Sequence, residues 1–210
     1  MICAGCVREK NIQNTMLKNL LDACGAALAF WAVGYAFAYG TDNASGTTFI
    51  GTTNFLLYNL KDYAFWFFEF AFSATTTTIV AGTLAERSQM VAYFLYSILL
   101  TAFVYPVVVH AVWSDHGFLS PRNPHALIGS GAIDFAGSGV VHITGGICAL
   151  IAVKILGPRT GRFYDATGRE IENPTRVKGS SVSLQVCMLV THKCILLYIL
   201  HHNVIFLNFV

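Results

Sequence analysis

The segment 134–146, DFAGSGVVHITGG, sets a carboxylate, an imidazole and a run of small residues at the head of an apolar stretch. A short acidic side chain before Gly-Ser-Gly suits a helix start. Its oxygens accept from backbone N–H groups that lack partners there, and its charge meets the positive end of the helix dipole. That is the place predicted for Asp134. If the helix runs on, eight residues at about 1.5 Å each carry His142 about 12 Å further, close to the middle of a hydrocarbon core about 30 Å thick. An ionisable ring at that depth is a functional candidate. The acid and the imidazole do not form a catalytic dyad, because eight residues along a helix leave them about 80° apart in azimuth and on different turns. With no nucleophile elbow in the chain, the sequence does not read as an enzyme.

The elements that must hold these groups are set by composition. Hydrophobic residues make up 55% of the 210 and charged residues only 11%, whereas soluble domains carry about 25% charged residues. The chain is therefore predicted to be an all-α, multi-pass membrane protein whose first partner is the lipid bilayer. A formal net charge of +2, with no basic patch interleaved with aromatics, excludes a nucleic-acid reader. The six cysteines are scattered through or beside apolar runs and read as reduced small hydrophobes. Cys3 and Cys6 form a C-x-x-C without a second pair or a suitably spaced histidine, so no metal and no cofactor is expected.

Four spans are predicted, at 20–39, 63–85, 90–113 and 139–156, each long enough to cross a bilayer. In the first, Gly25, Ala29, Gly34 and Ala38 recur about every four residues, which permits close helix contact in lipid. Asp22, near its start, reads as a capping or interfacial group. The polar stretch 40–59 contains Asn43-Ala-Ser45, a glycosylation acceptor if that loop faces outward and an unused sequon otherwise. The second span carries Glu69 among Phe65, Trp66, Phe67, Phe68, Phe70 and Phe72. Phe68 and Phe72 are four apart and share a face, which on pattern alone also describes ordinary packing or lipid-facing bulk. Thr75 to Thr78 can bond back to the preceding turn without breaking the helix. The third span contains Pro106, expected to kink it, and ends at His110 and Trp113, where an indole ordinarily serves as an interfacial anchor. With the chain starting inside, ten Lys and Arg residues fall on the inner side against Lys61 and Arg122 outside. That bias places Trp113, Asp134 and the Asn43 loop on one outer side.

DFAGSGVVHITGG, preceded by GSGAI and followed by GPRTGRF, resembles the signature of the ammonium transporter (Amt/Mep/Rh) family, particularly its plant branch. The likeness reaches back through AGTLAER and FFEFAF to CAGCVREKNIQNTMLKNLLDACG and covers about residues 1–186. It implies a partial first half of an eleven-helix inverted-repeat ammonium channel, a homotrimer in its full-length form and usually a plasma-membrane protein. It also implies roles by position. Trp113 matches the outer tryptophan that attracts ammonium by cation–π contact, and Phe68 and Phe72 match a stacked pair of gate phenylalanines. Asp134 matches the buried aspartate that orders the vestibule and the helix start, and His142 the first of the twin pore histidines. For Glu69 the resemblance implies only lining.

The chemistry can be weighed apart from the family. Stripping water from an ammonium-sized ion costs of order 20 kcal/mol ideally and several kcal/mol after relaxation, while a desolvated cation–π contact returns about 2 kcal/mol. Deprotonating an amine of lysine-like pKa, about 10.4, at pH 7 costs roughly 4.6 kcal/mol. Losing the proton is the less costly route through a dry constriction. The resemblance thus implies ammonium recruited at Trp113 and Asp134, water excluded by Phe68 and Phe72, and ammonia guided by His142.

The chain also departs from the family. The second repeat, with the second pore histidine, is not in this sequence, and a pore lined by one repeat cannot close around its substrate. Transport by this chain alone is therefore not expected, and the alternative is a non-conducting membrane subunit that packs with full-length transporters and modulates them. After KGSSVSLQV the tail 187–210 leaves the family pattern. Its His192, Lys193, His201 and His202 lack the spacing of a metal site. A translated intron or mispredicted exon end accounts for them better.

Overall fold

The computed structural model describes residues 2–41, 46–159, 162–165 and 167–171. Asn43, the segment 172–186 and the tail 187–210, with its histidines, lie outside the described residues. Four helices are long and apolar enough to cross a membrane: α1 (Glu9–Tyr39), α2 (Tyr63–Leu84), α3 (Met90–Trp113) and α4 (Ser138–Leu156). Among the described residues there is no strand, only isolated bridges at Thr48 with Gly117 and Tyr164 with Glu170. Residues 18–159 form one compact unit, and residues 1–17 with those after 159 fall in a second. In the second unit, Thr167 and the Arg169 N–H donate to the Asp165 carboxylate and hold it below its ordinary range.

Helix α1 starts well before residue 20, and this changes the reading of Asp22. The expected cap or interfacial group lies inside the helix and is 1% exposed. Its Oδ2 accepts from the Tyr93 hydroxyl at 2.8 Å and the Tyr96 hydroxyl at 3.4 Å, both on α3. A carboxylate removed from water needs such donors. The first polar turns of α1 supply the extra length, since a helix satisfies its own backbone whether its side chains are polar or apolar.

The small residues of α1 do face α3. A Cβ added at Gly34 would lie 2.5 Å from the Thr101 carbonyl oxygen, and one at Gly25 would lie 2.8 Å from Cε2 of Phe94. Gly34 closes a π turn, Phe30–Gly34, and Thr101 belongs to another, Leu100–Val104. Pro106 follows that second widened turn, which leaves room for a residue without an N–H. In α2, Asp62 caps the start by accepting from the Phe65 N–H at 2.9 Å. The hydroxyls of Thr75, Thr76 and Thr77 each bond the carbonyl four residues back, and Thr78 the one three back. Close contact of α2 with α4 follows from Gly145, where a Cβ would sit 3.0 Å from the Thr76 carbonyl. Outward-facing Leu95, Leu99, Leu150 and Ile155 remain exposed, as lipid-facing side chains require.

At the opposite end from the candidate site, the charged turn after α2 is pinned to the end of α4. Arg87 donates to the Gly157 carbonyl at 2.7 Å, and Arg159 pairs with Glu86 at 3.4 Å. Lys18 donates to the Ser88 carbonyl at 2.7 Å.

Candidate functional site

The loops after α1 and α3 are held together at one end of the unit by a fully buried histidine. His110 Nδ1 lies 2.9 Å from the Ala38 carbonyl, which can only accept, so Nδ1 carries the hydrogen. Its Nε2 then accepts from the Thr48 hydroxyl at 2.8 Å. The Thr48 N–H donates to the His116 carbonyl at 2.9 Å, and Asn123 donates to the Gly117 carbonyl at 2.9 Å. His110 is thus a structural pin.

Asp134 caps the start of α4 more completely than one N-cap bond would. Oδ1 accepts from the N–H groups of Gly137 at 2.8 Å and Ser138 at 2.9 Å, and Oδ2 from those of Gly139 at 2.9 Å and Val140 at 2.8 Å. Partial burial pushes this carboxyl up, but the four backbone donors outweigh it and hold it below its ordinary value. Gly137 makes the turn possible: its φ is +79°, and a Cβ there would meet Cγ2 of Val141 at 2.7 Å. The Asp134 carbonyl accepts from the indole Nε1 of Trp113 at 2.7 Å, so the indole is anchored to the helix cap.

His142 lies in a π turn, Ser138–Ile143, that opens α4. The N–H groups of Val141 and His142 both reach the Gly137 carbonyl at 3.0 Å, and His142 Nδ1 lies 3.1 Å from the same oxygen. A carbonyl cannot donate, so Nδ1 holds the hydrogen. In the neutral ring Nε2 is then left as a lone-pair acceptor. The side chain is exposed.

A cavity of about 310 Å³ gathers Phe68, Phe72, Trp113 and Asp134 with Glu69 and Arg122. His142 is not among its walls. The Phe72 and Trp113 rings meet edge-on, with centroids 5.7 Å apart at 75°. Phe68 and Phe72 are also edge-on, at 4.9 Å and 74°, rather than stacked. Their geometry follows from position: residues four apart on one helix present their rings side by side, so the pair forms one wall. Arg122, read from sequence only as an outer charge, binds Asp115 at 2.8 Å and donates to the Trp113 carbonyl. Nothing local in the sequence marks it, because the partner carbonyl belongs to a helix end that turns back on the loop. Among the described residues no group of three His, Cys, Asp or Glu side chains is arranged to hold a metal.

Four apolar helices define a polytopic helical membrane protein, with a cavity at one end that combines aromatic edges with acidic groups. The chain belongs to the Ammonium Transporter Family, whose profile matches residues 1–186. It is a family of transporters, not of enzymes. The chain is 46% identical over 190 residues to ammonium transporter 1 member 3 of Solanum lycopersicum, covering 89% of this chain and 39% of that protein. It is 47% identical over 192 residues to ammonium transporter 1 member 1 of Oryza sativa subsp. japonica, covering 89% and 37%. Among solved structures it is similar to a sensor Amt protein, with TM-score 0.64 and 29% identity over 82% of this chain and 43% of that one. The Saccharomyces cerevisiae Mep2 structure shares the fold, with TM-score 0.62 at 24% identity over 80% and 37%. The chain thus spans about two fifths of the length of these relatives.

Proposed function

We propose that this chain supplies the outer vestibule and the first pore histidine of an ammonium transporter. The observation that carries this reading is the convergence of Trp113, Phe72, Phe68 and Asp134 on one cavity, in a chain whose relatives carry the name ammonium transporter. The indole and phenyl rings attract a cation through their π faces, and the Asp134 cap fixes the indole in place. Beyond the rings, the lone pair on His142 Nε2 suits an N–H donor, so the ring can guide ammonia. The outer placement follows the charge count. The plasma membrane and a homotrimeric assembly are part of this proposal, resting on family membership.

Complementation of ammonium-uptake-deficient yeast tests it. Growth on low ammonium with a complete transporter built on this chain, abolished or slowed by His142→Ala and by Trp113→Ala, is the expected outcome. Undiminished ammonium uptake with potassium still excluded in the His142→Ala form would refute the role given to the ring. A second reading starts from the exposure of His142, which leaves its side chain open to another helix bundle. A non-conducting subunit would then suppress a co-expressed full-length transporter, and unchanged uptake on co-expression removes that reading.

A further inference from the structure

Two carboxylates line the cavity, and the protein satisfies only one of them fully. Each oxygen of Asp134 already accepts from two backbone N–H groups. Glu69, on α2, is 4% exposed and lines the same cavity, and its Oε2 has no hydrogen-bond partner in the protein. Tyr39 and Arg122 line the same cavity. Neither satisfies Oε2. Arg122 is held through Nε by Asp115 at 2.8 Å, and its terminal nitrogen donates to the Trp113 carbonyl. The Tyr105 hydroxyl, buried nearby, also lacks a partner. Buried polar oxygens are rarely left this way, because the lost hydration is not replaced.

We infer that Glu69 is the inner cation-coordinating residue of this cavity, its Oε2 accepting an N–H from ammonium or a small primary alkylammonium held beside Phe72 and Trp113. The inference rests on the vestibule reading given above. An ammonium-type ion meets both features at once, because it has charge for the ring faces and directed N–H donors for the carboxylate. An alkali cation of similar size has the charge but no hydrogen to direct, so it gains less from a single well-placed oxygen.

The test uses the chain in lipid nanodiscs with Trp31→Phe and Trp66→Phe, so that indole fluorescence reports Trp113. Ammonium, methylammonium and potassium chlorides are titrated at constant ionic strength. Saturable quenching by ammonium is expected, with the midpoint raised about tenfold to a hundredfold by Glu69→Gln, the range of a charge-assisted hydrogen bond. Glu69→Asp restores most of that loss, and the response to potassium changes far less. An unchanged ammonium midpoint in Glu69→Gln overturns the role of Glu69 and leaves the vestibule standing. No saturable ammonium response in the parent chain overturns both. If Glu69→Gln does not fold, infrared difference spectra of the parent chain labelled with ¹³C-glutamate decide the matter: ammonium must shift a buried carboxylate stretch, and an unshifted spectrum overturns the inference.

Discussion

Replacing Asp134 with alanine removes the acceptor of four N–H groups at the head of α4. An ordinary N-cap loss costs about 1–2 kcal/mol. Here the group is charged, sits at the positive end of the helix dipole and serves four donors, which adds about 1–2 kcal/mol more. The expected destabilisation is therefore about 2–4 kcal/mol for Asp134→Ala. For Asp134→Asn, which keeps one acceptor oxygen but loses the charge, about half of that is expected. Because the folded carboxyl lies below its ordinary value, its stabilisation is fully present above the unfolded-state pKa of about 3.9 and is lost as pH falls through the lower folded value. Asp134→Asn should accordingly lack that acid limb. Denaturant unfolding in micelles as a function of pH measures both quantities, and amide hydrogen exchange at residues 137–140 localises the change. If Asp134→Ala unfolds with the parent chain and those four amides keep their protection, the cap does not organise the turn.

Other contacts make sharper local predictions. Tyr93→Phe takes the 2.8 Å donor from buried Asp22 and should cost about 1.5–3 kcal/mol, read by thermal unfolding. Adding Asp22→Leu to Tyr93→Phe should recover much of it, because no buried acceptor is then left without its donor. His110→Ala breaks the bonds to Ala38 and Thr48 and opens a void in a site with no exposure, so a loss of about 2–4 kcal/mol is expected, with faster exchange in residues 46–59. Gly34→Ala drives a Cβ to 2.5 Å from a backbone oxygen that cannot rotate away, and a cost of about 1–3 kcal/mol in the same assay checks the α1–α3 contact. Trp113→Phe keeps a ring but loses the donor to the Asp134 carbonyl, and should weaken cation-induced quenching of a reporter placed on α2.

What the sequence discloses about this site is what local rules govern. The Asp134 cap spans three to six residues, and the Phe68 and Phe72 pair spans four, so spacing alone places each with its neighbours. Asp22 shows the converse. Its donor Tyr93 lies 71 residues away, and a polar residue at the rim of an apolar run reads as interfacial when the partner is invisible. His110 is the same case, with partners 72 and 62 residues distant. The edge-on meeting of the rings and the anchoring of Trp113 depend on how α2, α3 and the following loop pack, which no single-segment pattern encodes. The exposed flank of His142 likewise reflects what packs over α4, and spacing within α4 carries no information about that.

A single turn of backbone couples the two rings that the proposed pathway uses. The Trp113 indole donates to the Asp134 carbonyl, the Asp134 side chain receives the N–H groups of residues 137–140, and the Gly137 carbonyl between them fixes the hydrogen on His142 Nδ1. Each link is a hydrogen bond between a side chain and the main chain, and the turn closes because Gly137 holds a positive φ. The orientation of the indole at the mouth and the lone pair offered deeper along α4 are therefore set by the same cap. Preorganised dipoles of this kind need not reorient when a cation arrives, which is where electrostatic recognition gains over water. Asp134 then acts as a positioning residue, and Glu69 is the carboxylate of this cavity whose Oε2 has no partner in the protein.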